Sequence, residues 1–273
     1  MTSLQRYTCT ATLIGLCLAA ANGAYAISGG AGSINSAFIN PRVFNDIPGA
    51  IFTIGGSYPS LSFNEQNVSK AASGGANRDV WQFSNDGGFS PYAFQNGDFF
   101  QASFDLTVTA NSPAPRREAG FLFSTVNDGD IQFIVNTDGH EVVQFGGISF
   151  YSFNNSTPPA DGYGMTYNSG EIIHLQMDYF LDGSGMNALQ FFANGNASPV
   201  FEFGPSAGSG ALDIGNGSTL GGYFQIVNDP LNPANSGMAN FQNISIVPEP
   251  STFALLSMGI VTLGAVVSRR RRM

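Results

Sequence analysis

From Phe100 to Ala110 the chain reads FQASFDLTVTA, with Phe100, Ala102, Phe104, Leu106 and Val108 on one side and Gln101, Ser103, Asp105, Thr107 and Thr109 on the other. An amphipathic helix repeats its apolar positions about every 3.6 residues, so a strict period of two demands a strand with one buried face. The same period returns along the chain. In DIQFIVNTDGHEVVQFGG, Ile131, Phe133 and Val135 share a face, and the chain turns at Asn136-Thr137-Asp138-Gly139. It comes back through Glu141 to Phe145, and the Asp-Gly step predicts a hairpin. EIIHLQMDYF places Ile173, Leu175, Met177 and Tyr179 inward and His174, Gln176 and Asp178 on the polar face. The loop LDGSGMN and the returning strand ALQFFANGN follow, and GGYFQIV and NFQNISI supply two more strands. Helical periodicity is confined to the two ends. Many short strands separated by Gly, Asn and Asp turns predict an all-β sandwich. Two stretches, INPRVFNDIPGAIFTIGG and NEQNVSKAASGGANRD, read as irregular or weakly stranded.

The first 26 residues follow a different logic. Arg6 gives a positive start, an apolar stretch runs from Ala11 to Ala21, and Ala24-Tyr25-Ala26 forms a small-residue cleavage site before Ile27. This is the pattern of a secretory signal peptide, a helix read by the Sec translocon and then removed. Cys9 and Cys17, the two cysteines of the chain, both lie inside it. The mature protein would therefore contain no disulfide and must rest on a hydrophobic core.

The C-terminal end reads VPEPSTFALLSMGIVTLGAVVSRRRRM. Phe253 to Val267 carries no charge, and fifteen residues span ~22 Å as a helix against a hydrocarbon core of ~30 Å. That length suits a short transmembrane helix held transiently, with Arg269, Arg270, Arg271 and Arg272 left on the cytoplasmic side. The two prolines keep the preceding hook extended and free of helix. Pro248-Glu249-Pro250, an apolar helix and a terminal Arg269–Arg272 cluster together resemble the PEP-CTERM sorting signal of Gram-negative bacteria. The resemblance covers the last 27 residues, Val247 to Met273. It implies recognition by an exosortase, a membrane transpeptidase that cuts near the Pro-Glu-Pro motif. It also implies export across the inner membrane, transient anchoring, and a final place on the cell surface or outside the cell, in association with exopolysaccharide and biofilm. Three segments result: a signal peptide at 1–26, a β-sandwich passenger at 27–246 and the sorting signal at 247–273. The strand–loop–strand pattern around IIHLQMDYFLDGSGMNALQFFANGN resembles the hairpin of concanavalin-like and laminin-G-like jelly rolls. That fold is the expectation for the passenger, with an immunoglobulin-like sandwich as the alternative.

Charge narrows the partners. Between the two ends stand five cations (Arg42, Lys70, Arg78, Arg116, Arg117) and eighteen acids, a net charge of −13. This excludes nucleic acid and an anionic membrane surface as partners of the passenger, and suits neutral sugars or cations. Catalytic constellations are scarce. The mature chain lacks a Cys nucleophile and a G-x-S-x-G elbow, and holds two histidines, His140 and His174. Glu171, Asp178, Glu202 and Asp213 stand singly, so no strand presents paired carboxylates of the kind glycoside hydrolysis requires. The expectation is a non-enzymatic secreted protein, structural or weakly glycan-binding, requiring no cofactor. A calcium-dependent lectin-like module is the alternative, and a glycosidase the reading behind it. Trp81, the lone tryptophan, is the candidate glycan-stacking side chain, against the plainer reading of a core aromatic. Asp128 and Asp130, in an oxygen-rich turn, are the candidate calcium ligands, against the plainer reading of an Asx-type turn.

Overall fold

The computed structural model describes residues 34–248 apart from 73, 96, 156–161 and 203–213. Every regular element among them is a strand, so the all-β expectation holds. The expected signal helix, transmembrane helix and residues Glu249 to Met273 of the sorting signal lie outside the described residues.

One antiparallel sheet has seven strands, in the order β1 (Ser36–Asn40), β4 (Ala76–Ser84), β14 (Thr219–Val227), β6 (Arg117–Thr125), β7 (Gly129–Asn136), β8 (Val142–Phe145) and β9 (Tyr151–Ser152). The other has eight. It runs β12 (Asn196–Ala197), β11 (Asn187–Ala193), β10 (Ile172–Leu181), β5 (Phe100–Ala110), β15 (Gly237–Pro248), β3 (Ser60–Gln66) and β2 (Ile51–Ser57), with β13 (Phe201–Glu202) also on β11. Sheets of this size exceed the immunoglobulin sandwich of about seven to nine strands in total and are consistent with a jelly roll. The chain changes sheets repeatedly: β1 to β2, β3 to β4, β4 to β5, β5 to β6, β9 to β10, β13 to β14 and β14 to β15 each cross over.

The period-two residues behave as the sequence dictates. Phe100, Ala102, Phe104, Leu106 and Val108 are all fully buried, as are Leu175, Met177 and Tyr179 of β10. They meet aromatics of the opposite sheet. Phe104 lies 4.2 Å from Phe121 between ring centroids, and Tyr179 lies 6.2 Å from Phe123. The predicted hairpin forms between β7 and β8, with Ile134 opposite Val143. Its turn is tied by Asn136, whose Oδ1 accepts the Gly139 N–H at 2.9 Å.

The N-terminal region takes the stranded side of its expectation. The stretches read as irregular or weakly stranded contain most of β2, the end of β3 and the start of β4, and β2 pairs with β3 in register from Ile51 opposite Gln66 to Ser57 opposite Ser60. β2 is an edge strand whose two ends are exposed and whose Gly55-Gly56 pair dilutes the apolar period, so its sequence carries little signal.

A buried polar cluster joins the two sheets at this side. Glu65 of β3 receives Arg42 Nε at 3.1 Å and Asn77 Nδ2 at 3.2 Å. Asp79 of β4 accepts the Arg42 backbone N–H at 3.0 Å. Burial first, and the neighbouring Glu65 charge second, push the Asp79 carboxyl up to about 7. Its unfolded value is near 3.8, so between these limits the folded chain holds a proton that the unfolded chain has released. Stability from this group is therefore lost as pH rises from about 4 to about 7. Asp79→Asn is expected to raise the melting temperature at pH 8 and leave it nearly unchanged near pH 4, as read from thermal unfolding of both proteins across that range.

Candidate functional site

The alternation that buries one face of β5 and β10 forces their polar residues onto the outer face of the eight-stranded sheet. There the register places His174 directly opposite Asp105, and Asp178 opposite Gln101. His174 Nδ1 is 2.8 Å from Asp105 Oδ1, and Asn243 Nδ2 donates to Asp105 Oδ2 at 2.7 Å. The Asn243 contact, then the imidazole, holds the Asp105 carboxyl below its usual range. In the Nδ1–H tautomer the ring donates to the Asp105 carboxylate and leaves Nε2 as its acceptor nitrogen. The two side chains are open to solvent, with relative exposures of 44% for His174 and 29% for Asp105. Asn243 reaches Asp105 because β15 bulges between Gln242 and Ser245 and Asn243 adopts φ 53°.

The same face continues along β10 and β11. Gln176 Nε2 donates to Asp178 at 2.9 Å, and burial lifts the Asp178 carboxyl above its ordinary value. Phe192 stands opposite Gln176 on the polar side and is partly exposed, whereas its neighbour Phe191 is in the core. The strands β2, β3, β5, β10, β11 and β15 contain no Lys or Arg. The face thus offers amides, hydroxyls, the carboxylates of Asp105 and Asp178, one imidazole and the partly exposed rings of Phe180 and Phe192. Asp105 and Asp178 sit four residues apart in register, about 14 Å at ~3.3 Å per residue plus one inter-strand spacing. A glycosidase pair needs about 5–9.5 Å, so these two carboxylates do not form one.

The outer face of the seven-stranded sheet also gathers polar groups, but they satisfy one another. Tyr223 lies across Gly120 of β6, the residue opposite it, and its hydroxyl reaches Gln132 Oε1 at 2.7 Å and Glu118 Oε1 at 3.0 Å. Gln225 Nε2 donates to Glu118 at 2.9 Å, and Gln225 Oε1 accepts from Arg78 Nε at 2.8 Å. The Arg78 guanidinium sits 4.8 Å from the Tyr223 ring centroid and 5.7 Å from that of Phe44. Tyr223 is fully buried, and desolvation first and the Glu118 charge second raise its phenol well above the usual value. It is a fixed donor within a closed network flanked by the buried Val80, Leu122, Ile134 and Val143.

The residues singled out in the sequence fall in separate places. Trp81 is 0% exposed, edge-on to Phe83, Phe104 and Phe241. Its ring offers no face to a sugar, which corrects its reading as a stacking platform. The reason is register: Trp81 points inward beside Phe83 of the same strand. Asp128 and Asp130 flank the β6–β7 turn. Asp130 accepts from Ser124 Oγ at 2.7 Å, and the Asp128 N–H donates to Thr125 Oγ1 at 3.0 Å. Among the described residues no group of three or more His, Cys, Asp or Glu side chains converges on one point. His140 lies in the β7–β8 turn against the Tyr167 carbonyl, far in sequence from the His174 face. Ala24, Ala26, Glu249, Pro250 and Arg269 to Arg272 lie outside the described residues. Pro248 is the last residue of β15. Phe192 and Asn243 were missed: the doubled Phe191-Phe192 hides which ring faces out, and a bulge is invisible to a period-two reading.

Comparison with known proteins bears on fold and sorting. Among curated proteins none matches. Among solved structures the chain is similar to the alginate lyase AlgAT5 of polysaccharide lyase family 7, at 12% identity over 80% of this chain and 95% of that one, with a TM-score of 0.46. It is likewise similar to the alginate lyase from Corynebacterium sp., at 12% identity over 79% and 95%, with a TM-score of 0.48. The carbohydrate recognition domain of Emp47p shares 10% identity over 81% of this chain and all (100%) of that one, with a TM-score of 0.38. The likeness is one of fold. The expectation of a non-enzymatic chain is nonetheless corrected, because enzymes, the alginate lyases, stand among the structures similar to it. The PEP-CTERM protein-sorting motif matches residues 247–272. The chain therefore carries the sorting motif of an exported protein that is anchored transiently by its C-terminus and then displayed at the surface.

Proposed function

We propose that this protein is matured by an exosortase-type transpeptidase and that its sandwich engages extracellular polysaccharide through the outer face of the eight-stranded sheet. The observation that carries the reading is the PEP-CTERM motif at residues 247–272, continuous with the last strand of the sandwich. The polar face supports the second half. Phe192 supplies an aromatic surface for the C–H side of a pyranose, and Gln101, Gln176, Asn243 and Asp178 supply hydrogen-bonding groups around it. A second reading, cleavage of the bound chain, is favoured by His174 held by Asp105, a base with its orienting carboxylate.

The mass of the protein recovered outside the cell tests maturation: both ends should be missing, the first cut falling before Ile27 and the second near Pro248-Glu249-Pro250. Recovery of full-length chain, arginines included, from the inner membrane of cells that make the transpeptidase would sink the reading. For the face, co-sedimentation with a panel of insoluble polysaccharides is expected to show binding by the parent and loss with Phe192→Ala. Chain length of the bound polysaccharide separates the two readings. Shortening that vanishes in His174→Ala, with binding retained, identifies an enzyme, and unchanged length leaves a binding module.

A further inference from the structure

The sorting motif begins inside the folded domain. Its first two residues, Val247 and Pro248, belong to β15, where they pair with Gln101 and Phe100 of β5. β15 itself is built in two parts. From Gly237 to Phe241 it is held on both edges, by β3 and by β5, and Ala239 and Phe241 are fully buried. From Ser245 to Pro248 it pairs with β5 alone, and Val247 is 53% exposed. The bulge between Gln242 and Ser245 separates the two parts, and there Asn243 is clamped to Asp105 at 2.7 Å while the Ile244 N–H donates to the Pro59 carbonyl at 3.0 Å.

A transpeptidase grips several residues on each side of the bond it cuts, in extended form and with both backbone edges free. A segment still paired to β5 cannot be gripped on that side. We propose that Ser245 to Pro248 peel from β5 as a unit, stopping at the Asn243 bulge, and that this local opening admits the processing enzyme while the sandwich stays folded. Four residues at ~3.3 Å each give a free arm of ~13 Å upstream of Glu249. The strand held on both edges remains in place, so the cut releases an intact domain with no linker of its own. This inference rests on the maturation reading above.

A cross-strand disulfide tests it, because Cys9 and Cys17 leave with the signal peptide and the mature chain has no other cysteine. Gln101 and Val247 are direct partners in the antiparallel register, which brings two Cβ atoms within disulfide reach. In the full chain, expressed with its transpeptidase, Gln101→Cys/Val247→Cys is expected to accumulate as the uncut precursor and to be cut once reductant is added. Cutting of the oxidised protein is compared with cutting of the same double variant under reductant, so that any effect of the two substitutions themselves is common to both states. Cutting of the oxidised double variant at the parental rate would overturn the peeling step and leave the maturation reading standing. Failure of the parent to be cut overturns both.

Discussion

Trp81→Ala is expected to lower stability by about 3–5 kcal/mol, the cost of removing a large aromatic from a packed core. That is a large share of the roughly 5–15 kcal/mol that holds an ordinary domain together. The indole stands where the two sheets meet. It contacts Phe83 at 5.2 Å within its own strand, and Phe104 at 6.0 Å and Phe241 at 5.7 Å from the facing sheet. Phe241 and Phe104 belong to β15 and β5, the pair that carries the start of the sorting motif at its far end. The space around the ring is already committed: a Cβ on Gly222 would lie 2.7 Å from Trp81 Nε1, so the glycine is what lets the indole lie there. The same nitrogen is buried with no hydrogen-bond partner, a burden of about 1–3 kcal/mol. Trp81→Phe therefore removes volume and removes the burden together, and it should cost much less than Trp81→Ala. Urea unfolding followed by far-ultraviolet circular dichroism gives both differences. A Trp81→Ala protein as stable as the parent would mean that the core does not close around this residue.

How much of this was legible beforehand depends on what period-two patterning can carry. For β5 and β10 it sufficed, because Phe100 to Val108 and Ile173 to Tyr179 alternate and every inward member of the two runs is buried, although Ile172 and Leu181 at the ends of β10 are exposed. It also placed His174, Gln176 and Asp178 together on the outside, since residues two apart on a strand must share a face. It could not say that Asp105 would stand opposite His174, because register between β5 and β10 is set by packing across sixty-odd intervening residues. Which of the two readings of Trp81 holds, core aromatic or stacking platform, was not decided by the sequence for a related reason. DVWQFS alternates, but only the burial of Phe83 reveals which of the two faces is the core. The C-terminal label was legible because each of its parts is marked by composition alone, the Pro-Glu-Pro hook, the uncharged run from Phe253 to Val267 and the four arginines, and the sorting motif matches residues 247–272. That its first two residues also belong to β15 was not legible, since NFQNISIVPEP runs from strand to hook without a turn residue to mark the change.

Arg117→Met is expected to cost about 3–5 kcal/mol, although it replaces a charge with an apolar side chain of similar length in a fully buried place. The arithmetic turns on the acceptors left behind. The guanidinium donates to the Ser112 carbonyl at 3.1 Å, to Asn111 Oδ1 at 3.0 Å and to the Ser236 carbonyl at 3.2 Å, and also to the Pro115 carbonyl and Asn235 Oδ1. Burial draws the guanidinium below its ordinary pKa, yet it has five oxygens around it and stays charged at any pH the fold meets. Each acceptor stripped of its donor and kept from water costs about 1–3 kcal/mol, and relaxation of the two loops recovers part of the sum. Those loops are the β5–β6 and β14–β15 connections, both of which pass from one sheet to the other. Asn235 ties the second further by donating to the Val68 carbonyl at 2.7 Å and the Val227 carbonyl at 2.9 Å. Loosening that connection frees the start of β15 at Gly237, the opposite end from the sorting motif. Hydrogen exchange should then show lost protection in residues 228–241, with β10 and β11 less affected. Arg117→Lys should recover little, since a point charge with three donors cannot span acceptors that a planar fork reaches on two loops at once. A lysine variant as stable as the parent would show that the charge, rather than the five-way hydrogen bonding, is what the site requires.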